Sequence, residues 1–108
     1  MAKLYRIEDW RNGLANVYFN CPGCNCSHGV WTEEWIKDHD GNGKPIYGPK
    51  WGFNNDMDKP TFSPSILIQS HHAGIKEVCH SFIRDGMIQF LEDCTHKLAG
   101  KTVGLPDV

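Results

Sequence analysis

The sequence has no surplus of positive charge and no cluster of basic residues. Its 108 residues include 11 Lys and Arg against 13 Asp and Glu, a formal net charge of −2. Because nucleic-acid affinity rests largely on neutralising phosphates, this balance argues against a nucleic-acid partner. Long apolar runs are also missing, and residues 1–13 contain acids, so we expect neither a signal peptide nor a membrane anchor. The sequence predicts a single cytoplasmic domain spanning residues 1–108.

Segments with helical periodicity are scarce as well. Eleven Gly and six Pro divide the chain into short stretches rich in β-branched and aromatic residues, a pattern typical of strands between turns. Residues 29–38 fit a short helix or a strand, and residues 95–99 predict one turn of helix between a Thr95 cap and a Gly100 terminator. The predicted fold class is α+β, mainly antiparallel hairpins with one or two short helices.

Several strands and loops follow from the same pattern. The first hairpin is predicted to join strands at 3–10 and 14–20, and further strands are predicted at 45–54 and 66–70. An extended tract at 60–65 precedes the last of these, because residues before proline avoid the helical region. The polar stretch 38–44 is predicted to be a hairpin loop rather than a calcium site, and 71–77 a loop.

The clearest hairpin turns at Asp85-Gly86, a pair that suits a two-residue type I′ turn. If the turn contains only these two residues, the numbers of paired residues sum to 171. Cys79 and Cys94 then lie diagonally on one face, close enough for both sulfurs to reach one ion. His80 and Asp93 lie on the opposite face.

The stretch 21-CPGC-24 has the spacing of a zinc knuckle, which supplies two of the four tetrahedral ligands that zinc requires. A redox pair would need a helix after the motif, and turn-forming residues follow instead. The two hairpin cysteines complete a closed site with no open position for catalysis, although a three-residue turn would bring a histidine in place of one cysteine. The predicted Zn²⁺ ligands are Cys21, Cys24, Cys79 and Cys94, with His28, His80 and His96 as reserve ligands. The α+β fold is therefore expected to be a small zinc-stabilised, zinc-ribbon-like domain.

The remaining reactive residues have simpler interpretations. Cys26 is left over and is expected to be a small buried residue. His71 and His72 are expected to be solvated. Cys79 and His80 do not form a nucleophilic pair, because adjacent strand residues point to opposite faces.

The order of motifs resembles a family of small phage and prophage proteins. The motifs are CPGC at 21–24, WGFN at 51–54, PTFSPS at 60–65 and the run from Cys79 to Asp107, CHSF..DG.I.FL.DCTH.LAG.TV.LPD. Some members carry an "ammonia monooxygenase" label, which a chain with no membrane span and no copper channel gives no reason to accept. The resemblance implies a small phage-encoded, zinc-containing domain in a bacterial cytoplasm.

The sequence favours a binding or interaction module over an enzyme, with a host bacterial protein, such as a defence protein, as its partner. A small zinc-dependent hydrolase with His80, His96 or Asp93 beside a catalytic metal is the alternative from the enzyme class. A third possibility is a small-nucleotide-binding sponge that uses the tryptophans. Four protein ligands on the metal favour the first hypothesis, and three ligands plus water favour the second.

Overall fold

The computed structural model describes residues 2–6, 15–33 and 50–108, and every element named there is a β-strand. The predicted turn at 11–13, the loop at 38–44 and parts of the segments 29–38 and 45–54 lie outside these residues. No helix in the described ranges is long and apolar enough to cross a membrane. The strands are β1 (Leu4–Tyr5), β2 (Val17–Cys21), β3 (Cys26–Val30), β4 (Gly52–Phe53), β5 (Phe62–Ser63), β6 (Ile66–His72), β7 (Ile75–Arg84), β8 (Met87–Phe90) and β9 (Thr102–Gly104).

The α+β prediction is wrong, because the described part of the chain is built from strands and turns. The predicted helical turn at 95–99 shows why. Thr95 binds across to β7 instead of capping a helix: its hydroxyl accepts a hydrogen bond from the Val78 amide at 3.0 Å, and its own amide donates to the Val78 carbonyl at 2.9 Å. A tertiary contact has therefore replaced the local capping interaction, and residues 97–100 form turns.

The first three strands form one antiparallel sheet in the order β1-β2-β3. Leu4 lies opposite Phe19, so the strands of the predicted first hairpin do pair. Along β2, Val17, Phe19 and Cys21 are buried while the residues between them are half-buried, as expected for a strand with one face on the core. The β2–β3 pairing ends at Cys21 opposite Cys26, so residues 22–25 form the connecting turn.

The last four strands form a second antiparallel sheet in the order β6-β7-β8-β9. The β7–β8 register pairs Ser81 with Phe90 and Arg84 with Met87, which confirms the predicted turn at residues 85–86. Both turn residues have positive φ angles, 50° at Asp85 and 76° at Gly86, as a type I′ turn requires.

The β6–β7 connection is shorter than predicted. Residues 71–77 are not a loop, because β6 continues to His72 and β7 begins at Ile75. The turn contains only Ala73 and Gly74, whose φ angles are 50° and 81°.

The segment between β4 and β5 lies against the 85–86 turn at the end of the second sheet. The Gly86 amide donates to the Pro60 carbonyl at 3.0 Å, and the Asp85 amide donates to the Thr61 hydroxyl at 2.9 Å. These bonds fix the chain just before it enters β5.

Both large sheets contribute to one buried core. It consists of Leu4, Val17, Phe19, Cys21, Val30, Phe62, Ile66, Cys79, Ile83, Ile88, Phe90, Cys94 and Leu105.

Candidate functional site

A cluster of cysteine and histidine side chains lies between the two large sheets. Cys21 ends β2, Cys24 follows in the turn, His28 projects from β3, and Cys79 comes from β7 of the other sheet. One ligand atom from each of these four residues lies within 4.8 Å of the other three. The cluster could hold a metal ion, and such an ion would bridge the two sheets.

The sulfur separation fits a tetrahedral ion. Tetrahedral zinc–thiolate bonds of about 2.3 Å place two sulfurs about 3.8 Å apart. The Sγ atoms of Cys21 and Cys79 are 3.8 Å apart. A cavity beside the cluster, lined in part by Gly23, His28 and Thr95, gives an ion access from solvent.

The three thiols of the cluster shift one another's pKa values. The hydrogen bond from Cys79 lowers the pKa of Cys21 to about 4, against burial that raises it. Burial, followed by the charge on Cys21, raises the pKa of Cys24 to about 12. The hydrogen bond to Cys21, together with burial, raises the pKa of Cys79. One thiolate therefore disfavours ionisation of its neighbours, and a bound cation would favour the ionised form of all three.

His28 adds an independent sign of a missing partner. Its side chain is buried, with its ring edge-on to Phe19 at a centroid distance of 5.7 Å. Its Nε2 atom has no hydrogen-bond partner. A buried nitrogen without a partner costs about 1–3 kcal/mol, and coordination of an ion by the ring would remove much of that cost.

Cys79 also belongs to a second group with Cys94 and His96, whose ligand atoms again lie within 4.8 Å of one another. The Leu98 amide donates to His96 Nδ1 at 3.2 Å, so in the neutral ring Nε2 carries the proton. That Nε2 is buried and has no partner. His96 therefore offers this group an N–H donor, suited to a hydrogen bond with a thiolate.

The predicted zinc ligands are thus divided between the two groups. Cys21, Cys24 and Cys79 come together, and the fourth donor beside them is the reserve residue His28 rather than Cys94. The ligand set stays a prediction. Cys26, expected to be buried, is exposed and lies outside both groups.

His80 points away from the cluster, as the hairpin register predicted. Its Nδ1 atom lies 3.0 Å from Asp93 Oδ2, and its Nε2 atom lies 3.0 Å from Ser65 Oγ. A carboxylate accepts hydrogen bonds only, so Nδ1 carries the proton and Nε2 is left to accept from the serine hydroxyl. This is the order of contacts in a Ser-His-Asp catalytic triad.

The β6–β7 register explains how Ser65 reaches His80. Leu67 lies directly opposite His80, and Ser65, two residues earlier, is on the same face of the strand. The face is accessible: 49% of Leu67 is exposed, as are 23% of the His80 side chain and 55% of the Asp93 side chain. Ser65 itself is half-buried, and the face that it shares with His80 is open to solvent.

The sequence prediction missed Ser65 because it treated 60–65 only as an extended tract and 71–77 as a loop. The sequence feature that could have indicated the position of Ser65 is the pair Ala73-Gly74, which lies between two β-rich segments. A two-residue turn there makes paired numbers sum to 147, as observed for Leu67 and His80, and places Ser65 beside the face that carries His80 and Asp93.

The fold and the site define the class: a small all-β protein, in its described part, with hydrolase-type Ser-His-Asp geometry and a cysteine-histidine cluster behind it. The chain belongs to the BubE family, described as the bacterial ubiquitination-like system serine protease, whose model matches residues 1–91. The matched range contains Ser65 and His80 and ends two residues before Asp93. No curated protein and no solved structure matches the chain.

Proposed function

We propose that this protein is a serine hydrolase that cleaves acyl bonds of protein substrates in a bacterial ubiquitination-like system. The observation that carries the proposal is the chain of contacts Ser65–His80–Asp93, with both heavy-atom distances at 3.0 Å. Family membership supports the same chemistry. The cytoplasm of a bacterial cell is the proposed location, where the five thiols stay reduced.

The proposed mechanism follows from the hydrogen bonds. Ser65 Oγ attacks the substrate carbonyl while His80 Nε2 takes the hydroxyl proton. The same nitrogen then gives that proton to the leaving group, which departs and leaves the acyl group on Ser65 as an ester. A water molecule, deprotonated by His80 Nε2, attacks the ester; the bond to Ser65 Oγ breaks, His80 returns the proton to that oxygen, and the acid is released. Asp93 keeps the imidazole oriented and stabilises its positive charge.

We further propose that the cluster of Cys21, Cys24, His28 and Cys79 binds one Zn²⁺ as a structural ion. Three thiolates and one imidazole are a common zinc ligand set, and four protein donors leave no position for a catalytic water. This supports metal-independent chemistry at Ser65 over the alternative of a zinc-dependent hydrolase. The phage origin, the interaction with a host protein and the nucleotide sponge stay predictions.

A fluorophosphonate probe, which labels activated serines, tests the hydrolase proposal. We expect the wild-type protein to be labelled and Ser65→Ala to show no labelling. His80→Ala and Asp93→Asn should slow labelling by at least about 10³-fold, because each removes the base or its orientation.

Ser70→Ala is the matched control, since Ser70 is an exposed serine of β6, the strand that begins directly after Ser65, and it should be labelled like the wild type. Equal labelling of wild type and Ser65→Ala would refute the assignment of the nucleophile.

A further inference from the structure

We propose that the Cys94 thiol is a positioning residue that holds the main chain of His80 in place for catalysis; this rests on the proposed hydrolase function. Cys94 Sγ accepts a hydrogen bond from the His80 amide at 3.2 Å and donates one to the His80 carbonyl at 3.2 Å. The thiol therefore contacts both polar main-chain groups of the residue that carries the catalytic imidazole.

The β7–β8 ladder explains why His80 needs this contact. Regular pairing ends at Ser81 and Phe90, and the next pair would be His80 with Leu91, exchanging two backbone hydrogen bonds. One of them forms, from the Leu91 amide to the His80 carbonyl at 2.9 Å. The Leu91 carbonyl instead accepts the Cys94 amide at 3.2 Å. The turn at 91–94 thus takes away the acceptor that His80 would have used, and the Cys94 sulfur replaces it.

The same turn also orients the histidine side chain. Asp93, the residue before Cys94, binds His80 Nδ1. Residues 91–94 therefore hold His80 through the Leu91 amide, the Cys94 thiol and the Asp93 carboxylate. Loss of the thiol contacts leaves the His80 amide without an acceptor and lets the 91–94 turn shift relative to β7, which moves imidazole and carboxylate together away from Ser65.

This role differs from metal ligation. The Cys94 sulfur contacts the main chain of His80, and the group of four residues that could hold an ion does not include it. Cys94 lies near Cys79, but the four-residue cluster is complete without it. The positioning role therefore predicts that zinc content is independent of Cys94.

The test compares Cys94→Ala and Cys94→Ser with the full-length wild-type protein, using a p-nitrophenyl ester as substrate. Cys94→Ala should lower kcat by about 10- to 100-fold, because misplacement of a catalytic group by about 1 Å has effects of that order. KM and zinc content should be unchanged. The serine hydroxyl in Cys94→Ser can donate and accept hydrogen bonds as the thiol does, so the kcat of this variant should be close to that of the wild type. Cys26→Ala, at the exposed cysteine, is the matched control.

Amide hydrogen exchange gives a readout independent of turnover. The His80 amide should exchange faster in Cys94→Ala than in the wild type or in Cys94→Ser. If Cys94→Ala does not fold, Cys94→Val removes the same hydrogen bonds while keeping a side chain of similar bulk, and the same losses are expected.

Three outcomes would each overturn the positioning role. The Cys94 variants could lose zinc, Cys94→Ala could keep the wild-type kcat, or Cys94→Ala and Cys94→Ser could lose kcat equally. The hydrolase proposal fails differently, through a wild-type protein that neither reacts with fluorophosphonate nor turns over the ester.

Discussion

At the scale of single residues, Cys79 and His80 are chain neighbours that belong to different sites. Cys79 is buried on the core face of β7, beside Cys21 and the other cluster residues. His80 is on the accessible face and contacts Ser65 and Asp93. Because side chains alternate along a strand, the cysteine-histidine cluster and the Ser65–His80–Asp93 contacts lie on opposite faces of β7.

Substitutions at these two neighbours should have separable effects. We expect about one zinc per wild-type chain by elemental analysis, and the same content in His80→Ala, which loses only its reactivity with fluorophosphonate. Cys79→Ser should lose zinc, because it removes the one donor that the second sheet contributes to the cluster. Cys26→Ser serves as the control and should retain both properties. A zinc content reduced equally by His80→Ala and Cys79→Ser would place the imidazole at the metal.

At the scale of elements, the β6–β7 hairpin decides whether the triad forms at all. Its register brings Ser65 to the face of His80 across 15 positions of sequence. The turn that sets this register has alanine at φ 50° in Ala73 and glycine at φ 81° in Gly74. Alanine in the left-handed region costs about 1 kcal/mol. A residue that tolerates positive φ at position 73 would therefore make the turn more stable.

Replacing Ala73 by asparagine should therefore stabilise the protein. Asn-Gly is the preferred pair for a type I′ turn, and the side chain of residue 73 is exposed. We expect the free energy of unfolding in urea to rise by about 0.5–1 kcal/mol, with reactivity of Ser65 unchanged. Ala73→Val, which disfavours positive φ further, should lower it. Stabilisation by valine equal to that by asparagine would contradict the turn assignment.

At the scale of the whole molecule, the cluster lies where the two large sheets meet. Three of its residues come from the β2–β3 hairpin and Cys79 comes from β7. A bound ion would therefore join two sheets by metal–ligand bonds whose free energy, about 10 kcal/mol or more, is comparable with the total stability of a domain, about 5–15 kcal/mol.

Removal of the metal should consequently unfold the protein or lower its thermal midpoint by roughly 15 °C or more. Removal of the metal should also abolish the reaction of Ser65 with fluorophosphonate, because β7 carries both Cys79 and His80. Differential scanning calorimetry with and without a strong chelator measures the first effect, and fluorophosphonate labelling measures the second. Co²⁺ or Cd²⁺ should restore both, since a structural site needs only a tetrahedral ion. A metal-free protein with an unchanged midpoint and full labelling would show that the cluster is not a structural metal centre.

The amino-acid sequence by itself determined the features that depend on neighbouring residues. Asp85-Gly86 specifies its turn through the φ angles those residues tolerate, and alternation then places His80 and Asp93 on one face. The buried positions of β2 follow from the same two-residue period, and the CPGC spacing brings Cys21 and Cys24 into one turn.

Only the tertiary structure decided the rest. Thr95 binds Val78 across the chain rather than capping a helix, and His28 rather than Cys94 lies in the same group as Cys21, Cys24 and Cys79. Ser65 meets His80 only through the β6–β7 register. The physical reason is common to all three: each contact joins segments distant in sequence, and its geometry follows from how strands pair and pack rather than from the preferences of the residues next to it.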